Sequence, residues 1–379
     1  MSESIEAFEI RVDDSILEDL HRRLVQTRFP DQIADTGWDY GIPVDYLRQL
    51  IEFWRDSYDW RSEESRLNGF EHFRTDIDGQ RIHFIHARSV HPDARPLLLT
   101  HGWPGSFVEF LDVIPRLTNP ESYGGQASDA FHVIVPSLPG YGFSEPPRSP
   151  GWDVPRIARA FIALMDRLDY PDYVAQGGDW GAQVTTWIAS LDPEHCVAIH
   201  LNMATGVPPQ NREPLTDEEQ ADLAAMKEFA NEESGYANEQ GTKPQTLGIA
   251  LNDSPAGLLA WIVEKFRTWS DCDGQPEHCF TRQQLITNVM VYWVTQTGAS
   301  SAGLYWEHKH SSAGAPPFVQ APTGVARYPK EVLRWPRSWV ERQYNVVHWA
   351  VMERGGHFPA MEQPELFVDD LRDFFGSVG

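Results

Sequence analysis

Short, fully apolar strand patterns alternate with amphipathic helix patterns along much of this chain. Residues 96–102 ("PLLLTHG") and 131–142 ("FHVIVPSLPGYG") read as buried strands. Helical spacing follows in "VPRIARAFIALMDRL", for which Asp153 is the predicted N-cap. The predicted buried stripe of that helix consists of Ile157, Phe161, Met165 and Leu168. Such alternation predicts an α/β fold with a mostly parallel central sheet and helices on both faces.

Two segments depart from the alternation. Residues 1–68 read as helices and irregular chain, after which the sequence around Asp78-Gly79 has the alternating pattern of a hairpin. Residues 212–312 read as helical and contain no buried-strand pattern. We therefore predict an N-terminal segment (1–68), a core in two parts (69–211 and 313–379) and a helical cap inserted between those parts (212–312).

The charge and the cysteine content restrict the partners and the compartment. A formal net charge of −24 disfavours binding to nucleic acid or to anionic membranes. The sequence contains no recognisable secretory signal and no apolar stretch long enough to span a bilayer, so we expect no membrane anchor. Three cysteines, an odd number, favour free thiols in the cytoplasm. Cys272, His278 and Cys279 lie close in sequence, but their spacing fits no common zinc pattern, so no metal is predicted.

The stretch "GGDWGA" (177–182) has the form of a nucleophile elbow. In the α/β-hydrolase fold the nucleophile lies on a strained strand-to-helix turn that requires small neighbours. A strand pattern ("YVAQ") precedes the stretch, and a helix pattern ("GAQVTTWIASL") follows it. Asp179 occupies the nucleophile position, where a serine hydrolase would carry Ser. The alternative is a glycine-rich turn in which Asp179 is an ordinary helix N-cap.

Two more residues complete a triad in the chain order of this fold, which is nucleophile, acid and His. His357, in "ERGGHFPAMEQPE", follows an apolar strand pattern and precedes the last helix, where the catalytic base belongs. Glu331 comes just after the first strand beyond the cap, from where a carboxylate would hold His357 in one tautomer. The alternative for Glu331 is an exposed residue at a helix N-terminus. His101, His348 and Glu353 are weaker candidates for these roles.

The stretch "HGWPGS" (101–106) follows the strand "PLLLT", where this fold supplies half of its oxyanion hole. The predicted donors are the backbone N–H of Trp103 and that of Trp180, which follows the nucleophile. Pro104 and Gly105 would shape the loop so that an N–H points inward. Together with the elbow downstream, this loop indicates a complete hydrolytic site.

A carboxylate nucleophile selects a particular chemistry. A serine alkoxide that attacked a saturated carbon would form an ether, which the site could not hydrolyse. A carboxylate forms an ester instead, which a His-activated water can cleave. Asp179 therefore points to epoxide opening or to dehalogenation of a haloalkane or haloacid. The third alternative is a catalytically inactive protein of this fold that only binds a ligand.

The cap should separate these chemistries, because an epoxide releases an alkoxide that needs an acid, whereas a halide needs N–H donors. The predicted cap contains Tyr236 in "EESGYANEQ" and Tyr305 in "SAGLYWEHKH". Tyrosine hydroxyls suit an epoxide oxygen, although most tyrosines serve packing. The indole of Trp180 suits either chemistry.

These motifs together resemble the microsomal-type epoxide hydrolases, and the similarity covers nearly the whole chain. It is carried by "RFPD", "YLRQLIEFWRDSYDWR", "HGWPGS", "GGDWGA", "KFRTW", "TNVMVYW", "PTGVARYPKE" and "ERGGHFPAMEQPE". The resemblance implies an α/β-hydrolase fold with a helical cap and an N-terminal meander that braces the cap. The membrane-anchoring helix of the microsomal members is not recognisable, so the chain looks like the soluble bacterial and fungal members.

The resemblance also implies roles for individual residues. It assigns the nucleophile to Asp179, the base to His357, the orienting acid to Glu331 and activation of the epoxide oxygen to Tyr236 and Tyr305. The implied reaction turns a small-molecule epoxide and water into a vicinal diol without cofactor or metal. Some bacterial members of the family act in antibiotic biosynthesis, and the many aromatic residues suggest a bulky, apolar or aromatic substrate. Base rates favour a homodimer.

Overall fold

One sheet of nine strands organises the part of the chain that the computed structural model describes, residues 4–210 and 214–378. The strands are β1 (Glu6–Phe8), β2 (His72–Ile77), β3 (Gln80–Ala87), β4 (Arg95–Thr100), β5 (Phe131–Pro136), β6 (Tyr173–Gly177), β7 (Cys196–Leu201), β8 (Val319–Arg327) and β9 (Tyr344–Val351). Their spatial order is β1-β2-β3-β5-β4-β6-β7-β8-β9.

The sheet is mostly parallel, as the sequence predicts. The neighbours from β5 through β4, β6, β7 and β8 to β9 all pair in parallel, while β1, β2 and β3 add an antiparallel edge. Strands β2 and β3 form the predicted hairpin, in which Asp78 and Gly79 have φ values of 51° and 75°. Positive φ at both central residues is what a type I′ turn requires. The carboxyl ends of the parallel strands meet at one edge, where α/β proteins build their sites.

The core helices cover both faces of this sheet. They are α4 (Ile114–Thr118), α5 (Val154–Arg167), α6 (Trp180–Leu191), α13 (Arg337–Val340), α14 (Pro359–Glu362) and α15 (Pro364–Ser377). Asp153 caps α5 as predicted, because its carboxylate accepts the backbone N–H of Arg156 at 3.1 Å. The prediction that Leu168 belongs to the buried stripe of α5 is wrong. Helix α5 ends at Arg167, so Leu168 follows its last turn and is only half-buried, whereas Leu164 is buried.

The N-terminal segment contains α1 (Asp14–Val25), α2 (Val44–Asp56) and α3 (Trp60–Leu67). Strand β1, which the sequence pattern did not indicate, pairs with β2 and extends the edge of the sheet. Side chains of this segment reach the cap. The hydroxyl groups of Tyr58 and Thr287 lie 3.1 Å apart, and Gln283 donates to Glu63 at 2.7 Å. Such contacts are those expected of a segment that braces the cap.

Residues 214–312 of the inserted region form helices joined by loops and contain no strand, and the predicted boundary at residues 211 and 212 lies outside the described residues. Its helices are α7 (Asp217–Glu232), α8 (Gly235–Gln240), α9 (Pro244–Asp253), α10 (Pro255–Thr268), α11 (Arg282–Thr295) and α12 (Gly298–His310). Asp222 of α7 ties the cap to the core through ion pairs with Arg327 and Arg334.

Within residues 4–210 and 214–378, no single helix is both long and apolar enough to cross a bilayer. The pair α9 and α10 passes that test only when taken together, and the two helices are bent by 115° with respect to each other.

Candidate active site

Asp179 lies on the turn between β6 and α6, in the backbone conformation of a nucleophile elbow. Its φ of 52° and ψ of −126° are strained for a residue with a side chain. The turn passes so close to β4 that a Cβ on Gly181 would lie 1.9 Å from the carbonyl oxygen of Thr100. Asp179 occupies the N-cap position of α6, but its side chain makes no capping hydrogen bond. The alternative of an ordinary helix N-cap therefore does not explain this strained conformation. A nucleophile elbow explains it, because that turn holds the carboxylate at the edge of the sheet.

The predicted oxyanion loop points at this carboxylate. The backbone N–H of Trp103 donates to Asp179 Oδ1 at 2.9 Å. Trp180 begins α6 directly after Asp179, at a position where a helical N–H has no partner within its own helix. Both predicted donors thus belong to backbone segments that adjoin the nucleophile.

His357 and Glu331 form a buried pair beside Asp179. The Nδ1 atom of His357 lies 2.6 Å from Glu331 Oε1, and its Nε2 atom lies 3.4 Å from Asp179 Oδ2. Glu331 also accepts the backbone N–H of Val332 at 2.8 Å and the amide of Asn202 at 3.2 Å. Because these contacts fix the carboxylate, Nδ1 carries the proton shared with Glu331 and Nε2 faces the nucleophile.

The charges around His357 determine its protonation. Burial acts to lower the pKa of His357, but the charge of Glu331 and the contacts with Asp179 and Glu331 raise it well above its ordinary value. The imidazolium form is therefore favoured while Asp179 is ionised. A change that neutralised Asp179 would remove part of this support and lower the pKa of His357.

Tyr236 of α8 and Tyr305 of α12 come together on the cap side of the site. The ring of Tyr236 stacks on Trp103 with centroids 5.0 Å apart, and the two tyrosine rings are 5.8 Å apart. Burial, and then nearby charges including that of Asp179, raise the pKa of Tyr236 and of Tyr305 above the ordinary tyrosine range. Both hydroxyl groups therefore stay protonated at neutral pH and are able to donate hydrogen bonds.

Aromatic rings from core and cap form a continuous surface on this side, which we call the aromatic cap face. Its members are Trp103, Trp180, Tyr236, Trp269 and Tyr305, with neighbouring centroids between 4.7 and 6.1 Å apart. Edge-on and stacked rings at these distances pack tightly and exclude water. The surface therefore suits an apolar or aromatic ligand.

The weaker candidates lie in other surroundings. His348 pairs with Asp370 at 2.7 Å, in a network that also includes His200. Glu353 is exposed. His101 is the first residue of the oxyanion loop. Its side chain is buried and accepts the backbone N–H of Leu138 at 3.2 Å.

The two cysteines that flank His278 in the sequence make contacts of other kinds. Cys272 and Cys279 are free thiols that donate to the backbone oxygens of Arg267 and Asp271. Within residues 4–210 and 214–378, no group of three or more His, Cys, Asp or Glu side chains has the arrangement of a metal site.

Three residues near the site were not identified from the sequence. Trp269 packs edge-on against His357 at 5.0 Å, and its carbonyl oxygen accepts the backbone N–H of His357. Asn202 holds Glu331, as described above. Glu109, in the short turn after the oxyanion loop, has its pKa raised to about 8 by burial, with Asp179 adding to the rise and His357 opposing it. A lone carboxyl group in the apolar stretch "FVEF" was the available signal.

Comparison with protein families finds two models that match the chain. A family model described as "Epoxide hydrolase N terminus" matches residues 5–110. A second model, described as "alpha/beta hydrolase fold", matches residues 95–310. The two models together extend from the N-terminal segment to the end of the cap.

Individual relatives resemble the chain over nearly its whole length. A Stigmatella aurantiaca protein whose name assigns it provisionally to the epoxide hydrolases is 49% identical over 375 residues, 98% of this chain and 84% of that protein. Epoxide hydrolase 1 of Sus scrofa is 40% identical over 410 aligned positions, 99% of this chain and 89% of that protein. The crystal structure of juvenile hormone epoxide hydrolase from the silkworm Bombyx mori matches with a TM-score of 0.92 and 35% identity, covering 100% of this chain and 95% of that one.

Proposed function

Because this chain belongs to the epoxide hydrolase family, we propose that it converts an epoxide to a vicinal diol through a covalent ester on Asp179. The observation that carries the proposal is the contact of Asp179 with His357 of the His357–Glu331 pair and with the N–H of Trp103, on whose ring Tyr236 and Tyr305 pack. One neighbouring group supplies acid assistance, and the other supplies a base. An inactive ligand-binding protein would need neither.

In the first step, an oxygen of Asp179 attacks one ring carbon of the epoxide. The C–O bond of the ring breaks, and its electron pair moves to the epoxide oxygen. Tyr236 and Tyr305 are protonated because their pKa values are raised, and they hydrogen-bond that oxygen as it becomes negative. One of them transfers its proton to the oxygen, which becomes the first hydroxyl group of the diol. The N–H of Trp103 holds the other carboxylate oxygen at 2.9 Å and so orients the nucleophile.

In the second step, water hydrolyses the ester. The Nε2 atom of His357 takes a proton from water, whose oxygen bonds to the carboxyl carbon of Asp179. The N–H groups of Trp103 and Trp180 stabilise the oxyanion, and the diol leaves as the tetrahedral intermediate collapses. Esterification removes the charge of Asp179, so the pKa of His357 falls at the stage when a neutral imidazole is needed. Glu331 keeps the ring in the required tautomer.

The aromatic cap face supports a bulky, apolar or aromatic epoxide as the substrate class. Aromatic rings contribute large apolar contact area, and the five members of this face carry no charge. The cation beside them, Lys265, lies 5.2 Å from the centre of the Tyr236 ring and is ion-paired with Glu264. A panel that pairs styrene oxide-type epoxides with short alkyl epoxides measures this preference directly. We expect higher kcat/KM for the aromatic members.

The covalent mechanism is tested by one turnover in ¹⁸O-labelled water. We expect the label to enter the carboxyl group of Asp179, detected in its peptide, while the first diol released stays unlabelled. Label in the first diol would contradict the mechanism, because water would then have attacked the substrate directly. Asp179→Asn is the control, for which neither ester nor label is expected in the first turnover.

The same nucleophile would also serve a dehalogenase. Halide release from haloalkanes and haloacids is the corresponding measurement, and we expect none. Tyr236 and Tyr305 favour the epoxide, because a halide leaving group takes no proton from a hydroxyl, whereas the indole N–H groups of Trp180 and Trp269 suit either chemistry.

Three further proposals concern the compartment, the oligomeric state and the biological role of the enzyme. The free cysteines Cys196, Cys272 and Cys279 support a reducing compartment such as the cytoplasm. We also propose a homodimer, which light scattering of the purified chain measures. A role in natural-product biosynthesis rests on the resemblance to bacterial family members, and deletion of the gene followed by metabolite profiling tests that role.

A further inference from the structure

A small cavity lies on the core side of Asp179, and its lining contains no member of the cap helices. We call it the core-side cavity. It is lined by Thr100, Glu109, Gln176, Asp179, Asn202, His357 and neighbouring residues of the core. Its volume is about 10 Å³, and a single water molecule requires about 10–15 Å³ on this measure. The cavity therefore has the size of one water.

Polar atoms around this cavity lack partners. Thr100 Oγ1, Gln176 Oε1 and His357 Nε2 are buried and make no hydrogen bond within the described ranges 4–210 and 214–378. Buried polar atoms are almost always hydrogen-bonded, either to protein or to an ordered water. Three such atoms on residues that line one cavity indicate a water site, and one of the three belongs to the proposed base.

Glu109 belongs to the same cavity and has no role in the two steps described above. Its carboxyl group fills the space beside Gly105, where a Cβ on that glycine would lie 1.5 Å from Glu109 Oε1. The glycine thus leaves room for the carboxyl group at the edge of the site. The charged or titratable neighbours that act on Glu109 are Asp179 and His357, and Tyr292 is in turn affected by Glu109.

We propose that the core-side cavity holds the water that hydrolyses the Asp179 ester, and that Glu109 orients this water toward His357 Nε2. The inference rests on the proposed function and adds a position for the water and a water-positioning residue. A carboxyl group has an acceptor oxygen in either protonation state. Glu109 accordingly accepts one hydrogen of the water by a hydrogen bond, and His357 accepts the other as a proton.

The balance of the step is that of ester hydrolysis. One O–H bond of water breaks and its proton moves to His357 Nε2, while the water oxygen bonds to the carboxyl carbon of Asp179. The bond between that carbon and the diol oxygen then breaks with its electron pair. The alkoxide takes the proton from His357. The second proton of the water leaves the Asp179 carboxyl group as the carboxylate is restored, and it replaces the proton that a tyrosine gave to the epoxide oxygen in the first step. Glu109 ends with the proton count with which it began.

The test compares Glu109→Met with Glu109→Gln in rapid-mixing experiments that resolve ester formation from ester hydrolysis. Met keeps the size of the side chain but removes the acceptor oxygens, so we expect hydrolysis to slow about 10- to 100-fold with ester formation little changed. Gln keeps one acceptor oxygen, and we expect it to retain most of the hydrolysis rate. The exposed Glu121 provides the matched control, because Glu121→Met removes a carboxyl group far from the cavity.

A second variant tests the same claim without removing the carboxyl group. Gly105→Ala places a methyl group where Glu109 Oε1 lies, so the flexible carboxyl group must move away. We expect the same selective loss of the hydrolysis step. This variant also covers the case in which Glu109→Met does not fold.

The outcomes separate this inference from the proposed function. If wild-type enzyme forms an ester and both Glu109→Met and Gly105→Ala hydrolyse it at the wild-type rate, the inference about Glu109 is wrong and the proposed function stands. Equal slowing of both steps, or Gln performing no better than Met, would also overturn it. Absence of any ester in the wild-type enzyme would overturn the proposed function and this inference together.

Discussion

Asp179 lies between two unlike surroundings. On one side is the aromatic cap face, whose polar groups are the hydroxyls of Tyr236 and Tyr305 and the ring N–H groups of its three tryptophans. On the other side is the core-side cavity, with the buried polar side chains of Thr100, Gln176 and His357. An apolar electrophile suits the first surrounding and a water molecule suits the second. The difference explains how one carboxylate can be alkylated and then hydrolysed without the two reagents competing for space.

The largest expected effect comes from a variant that impairs ester hydrolysis on the core side and leaves the cap side intact. His357→Gln removes the base, so we expect turnover to fall about 10³-fold while the ester still forms. Consumption of one equivalent of epoxide per enzyme, without release of diol, is the measurement. A variant that consumed no epoxide would contradict the separation of the two sides.

The next largest effect comes from a variant that impairs ester formation on the cap side and leaves the core side intact. The double variant Tyr236→Phe and Tyr305→Phe keeps the rings of the aromatic cap face but removes both acids. We expect ester formation to slow about 10²-fold, because the epoxide oxygen loses its hydrogen-bond donors. Hydrolysis of the ester should be unchanged, so that no ester accumulates. Stopped-flow tryptophan fluorescence resolves the two rates, and an equal loss in both would refute the assignment.

Glu331→Gln weakens the core side without removing the base. Burial lowers the pKa of His357, and Glu331 is the largest influence that raises it, so this pKa should fall in the variant. Hydrolysis needs the neutral imidazole, so its rate rises with pH through the His357 pKa, and that rise should move to lower pH. We also expect the maximal rate to fall about 10- to 50-fold because the ring is less well oriented. An unshifted pH profile of single-turnover hydrolysis would contradict this account.

The smallest effect concerns the turn between the two surroundings. Gly181→Ala would bring a Cβ within 1.9 Å of a backbone oxygen of β4, which cannot move as freely as a side chain. We expect a loss of about 2 kcal/mol in the free energy of unfolding. Urea denaturation measures that loss, and Gly376→Ala is the matched control because a Cβ there meets no atom within 4 Å. Equal stability of the two variants would show that the elbow is not tightly constrained.

Much of the fold and of the site follows from local sequence. The elbow, the loop "HGWPGS" and the Asp78-Gly79 hairpin are short patterns whose backbone requirements are visible in their residues. The order of Asp179, Glu331 and His357 along the chain then fixed the expected triad, and the structure brings these three side chains together. The two cap tyrosines were assigned largely through the family resemblance, because an isolated tyrosine carries no spacing signal.

The features that were missed depend on contacts between distant parts of the chain. Strand β1 has three residues, too few for a period, and it exists because it pairs with β2 more than sixty positions later. For Glu109 the sequence shows only a lone carboxyl group in the apolar stretch "FVEF", and it is the fold that encloses this group beside Asp179. Trp269 belongs to the cap but contacts the loop of His357, which lies in the second part of the core. None of these relations has a local signature.

The most direct test of the account is to locate the covalent intermediate. His357→Gln is mixed with an aromatic epoxide, quenched in acid and digested, and the peptides are identified by mass. We predict one added substrate mass on Asp179, with Glu109 and Glu331 unmodified. Substrate mass on another carboxyl group, or no modified peptide while epoxide is consumed, would contradict the claim that Asp179 is the nucleophile between the two surroundings.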